Sequence, residues 1–330
     1  MATYKGIKGF EVQSLASDPT TASSVGQLYY NTTGSVFKYG TVGVGAWASG
    51  GALNTARTGV TGFGRTQSTA VAAGGTAPGG ISNATEKYDG TSWANSGNLS
   101  AAKETAASFG TSTAGVIAGG NVPPYTAVVE TFNGSVWSTS PATMNTARNL
   151  IKGAGLSTAG LVAGGGTTPG YVTNTESFNG SSFANVTGTN TARANYGMAS
   201  QGTPTAGLVW GGGVAPTGQT VNTESYNGSA WTEVAGNLNT SREGFANAGT
   251  QTSAIGGGGS NPGGNVTNTE SWNGTSWSEV AEMATARTLM GSGGLGSGSM
   301  TGFGGAAPSH SALTEEWTVP DVLIKTVTTS

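Results

Sequence analysis

The sequence predicts an all-β fold: a β-propeller of six blades, closed by a strand from the N-terminal side. Three observations predict it. One motif recurs six times, running from a Thr-Ala-Arg-like start through a glycine cluster and Thr-Glu-x-aromatic to Asn-Gly and Trp. The basic residues opening the copies are Arg57, Lys103, Arg148, Arg193, Arg242 and Arg287, spaced by 46, 45, 45, 49 and 45 residues. Self-similarity at that period marks a propeller or solenoid array. Finally, the sixth copy lacks its last strand, and the chain before the first copy contains one.

Within a copy, each element has its own signal. After Arg193, residues 194–200 are small and mixed, which suits a first strand crowded near an axis. Residues 205–210 then run apolar into Gly211-Gly212-Gly213, a buried second strand ending where only glycine fits. Thr223 to Tyr226 begins a third strand. Asn227-Gly228 follows, and Asn-Gly between strand-like runs predicts a type I′ hairpin turn with positive φ at both central residues. Trp231 opens the outer strand. Four short strands per copy make one propeller blade.

The sixth copy has Arg287, Gly304-Gly305 and Thr314-Glu315-Glu316-Trp317, but no hairpin turn and no outer-strand Trp after them. Trp47 stands seven residues before Asn54, as Trp137 stands eight before Asn145 and Trp231 eight before Asn239. A strand within 44–50, carrying Trp47, is therefore predicted to complete the blade of Trp317 and remove its exposed edge. The expected organisation is an N-terminal hairpin and assembly segment, 1–43, a propeller, 44–318, and a C-terminal strand or tail, 319–330. In the first segment, Leu28-Tyr29-Tyr30 and Phe37-Lys38-Tyr39 flank a turn at Asn31-Thr32-Thr33-Gly34, with Lys5 and Lys8 upstream. A lone hairpin is marginal in water, so it should dock on something, and Val322 to Val327 is a strand for it or for another chain.

Composition narrows the function. Charged residues are only 9% of the chain, against the usual quarter, and the net charge of −3 gives no handle on nucleic acid or anionic lipid. There is no cysteine, which excludes disulfides, thiolate catalysis and Cys-based metal sites. The opening MATYKGIKGFEVQ has no apolar run of signal-peptide length, and no apolar run approaches a membrane span. Ordinary secretion and membrane insertion are therefore not expected.

The glycine doublet, the Glu two places before an aromatic and the Trp about seven residues after that Glu together resemble the kelch family of β-propellers, over about four-fifths of the chain. Membership implies a kelch-type propeller. The family includes oxidases, carbohydrate binders and protein-interaction modules. The closely similar Gly/Thr/Ser-rich copies also resemble structural proteins of bacteriophages, marine ones in particular. Residues 26–34 (GQLYYNTTG) are similar to hairpin segments of phage tail and fibre proteins.

Candidate residues fall into two groups. Arg57, Arg148, Arg193, Arg242 and Arg287, with Glu86, Glu130, Glu176, Glu224, Glu270 and Glu315, occupy one position each per copy. An active site is needed once, so recurrence marks them as an ion pair or backbone clamp within or between blades. The loops between second and third strands each contain proline and no charged residue, and should emerge on one face. Pro123, Tyr125, Pro169, Tyr171, Pro216, Pro262 and His310 on these loops are the candidate binding residues, since variable loops on a rigid scaffold carry most binding sites.

Catalysis is not expected. His310 is the sole histidine, so a His-based metal cluster is impossible and a catalytic triad would hang on one loop residue. Kelch-type copper oxidases use two histidines and a cysteine-modified tyrosine, both missing here. The non-repeated acids Glu104, Glu233, Glu279, Glu282 and Asp321 suggest no catalytic pair. We expect no metal and no cofactor. The function expected is a non-enzymatic structural or receptor-binding component of a virion, on a tail, fibre or capsid surface. It would present a neutral loop face to a host glycan or protein and assemble with other virion proteins or with itself as a homo-oligomer. The alternatives are a carbohydrate-binding lectin module and a kelch protein-interaction scaffold.

Overall fold

Alternating burial along short β-prone runs builds this molecule almost entirely from antiparallel strands. The structure, a computed structural model, describes residues 12–19, 26–41, 43–216, 218–319 and 323–327, and among these there is no helix. Lys5, Lys8, Asp321 and Val322 lie outside the described residues. The chain divides into two compact units, Ala46–Thr318 and the two chain ends, Met1–Gly45 with Val319–Ser330.

The larger unit contains six four-stranded antiparallel sheets. The first is Thr61–Phe63, Val71–Ala73, Thr85–Tyr88 and Trp93–Ser96. Four more follow the same order, and their inner strands are Ala107–Thr111, Lys152–Leu156, Gly197–Met198 and Ala246–Gly249. In the sixth, Gly291–Gly296, Ser299–Phe303 and Thr314–Thr318 are joined by Ala46–Gly50, with Trp47 opposite Trp317. Each inner strand contacts the next, and Gly291–Gly296 returns to Thr61–Phe63, so the sheets close a ring.

Burial follows position in the sheet. Second strands such as Val71–Ala73 and Ala159–Ala163 are buried almost throughout, because a sheet on either side covers both faces. The outer strands Trp93–Ser96 and Trp277–Val280 bury only their first residue and expose the next two. Glycine ends the second strand for two reasons. Gly74 and Gly75 have φ of 64° and 92°, and a side chain on Gly74 would run into the Lys103 carbonyl.

The hairpin into the outer strand differs from the type I′ turn expected. Tyr88 pairs with Trp93, leaving a four-residue connection. Only the glycine has positive φ, 94° at Gly90 and 97° at Gly134. The preceding Asp or Asn acts through its side chain instead. Asp89 Oδ1 accepts from the Thr91 and Ser92 amides, and Asn133 Oδ1 from those of Ser135 and Val136. This is an Asx-type turn, in which a short side chain replaces a backbone acceptor.

In the smaller unit the two chain ends form one sheet. Leu28–Asn31 pairs antiparallel with Val36–Thr41, and Leu323–Thr326 pairs antiparallel with the latter. Gln13–Leu15 adds a parallel strand beside Leu28–Asn31. Asp18 anchors this sheet, accepting from Lys38, Asn31 and the Tyr29 hydroxyl.

Candidate functional site

The repeated charges are buried and ion-paired. Arg57 Nη1 donates to the carbonyls of Gly74 and Ala84, and Nη2 to Glu86 Oε1 at 2.7 Å. Glu86 Oε2 accepts the Asn54 amide at 2.6 Å. Asn54 follows the strand Ala46–Gly50 of the sixth sheet, so the pair fastens the linker leaving one sheet onto the next. Arg148–Glu176, Arg193–Glu224, Arg242–Glu270 and Arg287–Glu315 repeat the arrangement. Lys103 pairs with Glu130 at 2.8 Å. Burial pulls each of these arginines below its ordinary range, and the facing glutamate opposes that shift. These groups hold sheets together and are closed to a ligand.

One residue past each basic residue, the chain bridges to the residue after the glycine doublet, as Thr58 does to Thr76 and Glu104 to Asn121. The next position is left-handed in every copy: Gly59, Thr105, Leu150, Asn195, Gly244 and Leu289. Backbone bonds link these positions between sheets, including Gly59 N to Leu289 O and Asn195 N to Leu150 O, both 3.0 Å. The proline loops spring from this end of the ring. Their returning strands place Ile81, Tyr125, Tyr171, Gln219, Asn265 and His310 at one equivalent register position.

Three loops meet in a groove of about 340 Å³. It brings together Tyr171, Pro216 and Pro262, with Gln219 and Glu243 beside them. Pro123, Tyr125, Pro169 and His310 stay outside its lining. Tyr171 is 36% exposed. Burial pushes its phenol up, and the Glu243 carboxylate and Tyr125 add to this. Glu104, one residue past Lys103, is satisfied by Thr76 and Asn121. Glu243 occupies the same register position with only a long contact from Gln219 Nε2, 3.4 Å. Gln219 Oε1 is buried without a partner.

The loop face is therefore not neutral at its base. Sequence reading missed Glu243 because it lies just outside the loops, at a position that also holds Thr58, Glu104, Asn149, Ala194 and Thr288. Among the described residues, no three His, Asp or Glu side chains gather to hold a metal.

A second cavity lies on the axis, about 40 Å³ in volume, lined by the inner strands of several sheets. Its lining includes the left-handed residues at one end and Gln201 towards the other. Gln201 Nε2 donates to Gly294 O at 2.6 Å, reaching from the fourth sheet to the sixth.

The ring also shows in the outer-strand aromatics. Trp93 Nε1 donates to Thr314 Oγ1, Trp137 to Thr85, Trp277 to Thr223 and Trp47 to Thr269, each at 2.9–3.0 Å and each reaching the preceding sheet. Trp47 takes its place in that series, and its ring lies 5.7 Å from that of Trp317.

The fold is a β-propeller. A solved structure titled "Structure of YjhT" aligns with 83% of this chain and 99% of its own, at a TM-score of 0.67 and 14% identity. That likeness shows the fold alone. No protein-family profile and no curated protein matches the sequence.

Proposed function

We propose that this chain is a six-bladed, kelch-type propeller that works by binding rather than catalysis. On this reading it is a receptor-binding component of a virion surface that takes a host glycan in the groove of Tyr171, Pro216 and Pro262. The observation that carries the reading is the groove's chemistry. A half-exposed aromatic ring offers a face to the C–H side of a sugar. The Glu243 carboxylate has acceptor capacity left for hydroxyl donors. The kelch assignment is supported by the glycine doublets at the second-strand ends and by the six four-stranded sheets. The virion placement rests on the resemblance of the repeats and of residues 26–34 to phage proteins.

The test begins with a glycan array probed with the full chain. Affinity for any hit is then measured for Tyr171→Ala, Glu243→Gln and, as a remote control, Pro78→Ala. The first two should each weaken binding about tenfold, a loss of about 1.4 kcal/mol, and the control should not. Equal binding by all four proteins overturns the groove assignment. Immunogold labelling of particles in the source culture tests the other half, and label confined to cells or the free fraction removes the virion.

A further inference from the structure

The structural parts of this propeller occur in every copy, whereas a binding site need occur once. One inner-strand position breaks the repetition. Four residues past each basic residue stand Thr61, Ala107, Lys152, Gly197, Ala246 and Gly291, each paired with the residue just before the glycine doublet. Five are small and uncharged, and the sixth is a lysine.

Lys152 lines the axial cavity and is partly exposed. Among the described residues it is the one ionisable side chain in that lining. The repeat cations Arg57, Lys103, Arg148, Arg193, Arg242 and Arg287 each have a glutamate within ion-pair distance, and among the described residues Lys152 has none. The strands packed against it, Ala107–Thr111, Ala159–Ala163 and Gly197–Met198, carry no ionisable group. Next to it, Tyr196 donates to the Ala163 carbonyl and is pushed up to about 12 by burial, so it stays neutral. Arg148 and Arg193 are neutralised by Glu176 and Glu224.

A lone ammonium inside a protein is stabilised by a counter-charge. The cavity has no acid to offer, so a counter-charge has to enter from solvent. Thr61, Thr105 and Ser200 also line the cavity, and their hydroxyls are buried without a partner. The volume of 40 Å³ holds about three water molecules, which excludes a sugar or a bulky oxyanion.

We propose that the axial cavity binds a single chloride-sized monovalent anion, held by the Lys152 ammonium. Burial lowers the Lys152 ammonium to about 8, so it is mostly charged at neutral pH without any anion bound. Anion affinity is linked to that proton. It is level below about pH 8 and falls about tenfold per unit above it.

Bromide tests this with the full chain. Crystals soaked in sodium bromide at pH 6.5 should give an anomalous peak within hydrogen-bonding reach of Lys152 Nζ. Crystals at pH 10, and crystals of Lys152→Met, should give none. In solution, replacing gluconate by bromide at constant ionic strength should raise the wild-type Tm at pH 6.5. The rise should vanish at pH 10 and in Lys152→Met. No peak at pH 6.5, a peak that survives in Lys152→Met, or a peak without the pH-dependent Tm shift each overturns the proposal.

Discussion

At the scale of the residue, the repeat is built around a buried guanidinium that is more than a charge. Arg148 Nη1 reaches the carbonyls of Gly164 and Asn174 at 2.7 and 2.8 Å while Nη2 holds Glu176. Its planar fork serves two strands and a linker at once, which a lysine cannot do. The second sheet supplies the comparison within the same molecule, since Lys103 makes the ion pair to Glu130 without a hydrogen bond to either carbonyl. Two substitutions separate charge from geometry. Arg148→Lys should keep the pair and lose the carbonyl bonds, costing about 1–2 kcal/mol. Arg148→Met leaves Glu176 buried without a cation and should cost about 3–5 kcal/mol. Urea unfolding of both variants checks the order; no loss in Arg148→Lys would mean that the carbonyl contacts contribute nothing, and equal losses that the retained charge contributes nothing.

At the scale of the element, the sheets are joined by side-chain pairs as well as by the linkers. In four of the sheets an outer-strand indole donates to the threonine that precedes the repeated glutamate of the neighbouring sheet, whereas Trp231 Nε1 of the fourth sheet has no partner. The third sheet carries Phe183 instead of Trp, and the corresponding residue of the second sheet is Val129 instead of Thr, both in one buried cluster. Where the donor is missing, the acceptor is missing too, because a buried hydroxyl without a partner is costly. Thr223→Val should therefore cost about 1–2 kcal/mol by stranding the Trp277 N–H. Adding Trp277→Phe should cost less than the sum of the two single changes, with a coupling of about 1 kcal/mol in a double-mutant cycle. Strictly additive losses would show that the bond carries no net stability. Such features also explain what was legible in the sequence. The second strands and glycine doublets were readable because burial on both faces and positive φ leave few residue choices. The Asn-Gly turn was recognised but assigned the wrong type, since the dipeptide does not reveal whether Asn acts through its backbone angle or its side-chain oxygen. Glu243 and Lys152 were not legible as site residues. Each stands at a position whose neighbours vary from copy to copy, and only the closed ring brings them to a cavity.

At the scale of the molecule, the ring depends on a strand supplied from the far end of the chain. Ala46–Gly50 completes the sixth sheet, so the two ends of the ring are tied through Trp47, Trp317 and the ladder from Ala46 to Gly50. A ring closed this way has no first or last sheet exposed on its face, which is what makes six small sheets behave as one cooperative unit rather than an open array. Two shortened chains test the closure. Residues 46–318 retain the closing strand and should be soluble, with one cooperative thermal transition. Residues 51–318 lose Trp47 together with its bond to Thr269 Oγ1, and leave the ladder of Thr314–Thr318 unpaired. That chain should aggregate, or unfold at a markedly lower temperature with its sixth sheet first, which amide exchange at Met300 to Phe303 would report. If the two chains melt together, Ala46–Gly50 is a decoration on a ring that the linkers and the Arg–Glu clamps already hold shut. If only the longer one survives, stability is a property of the closed circle, and the five residues before Gly51 carry it out of proportion to their number.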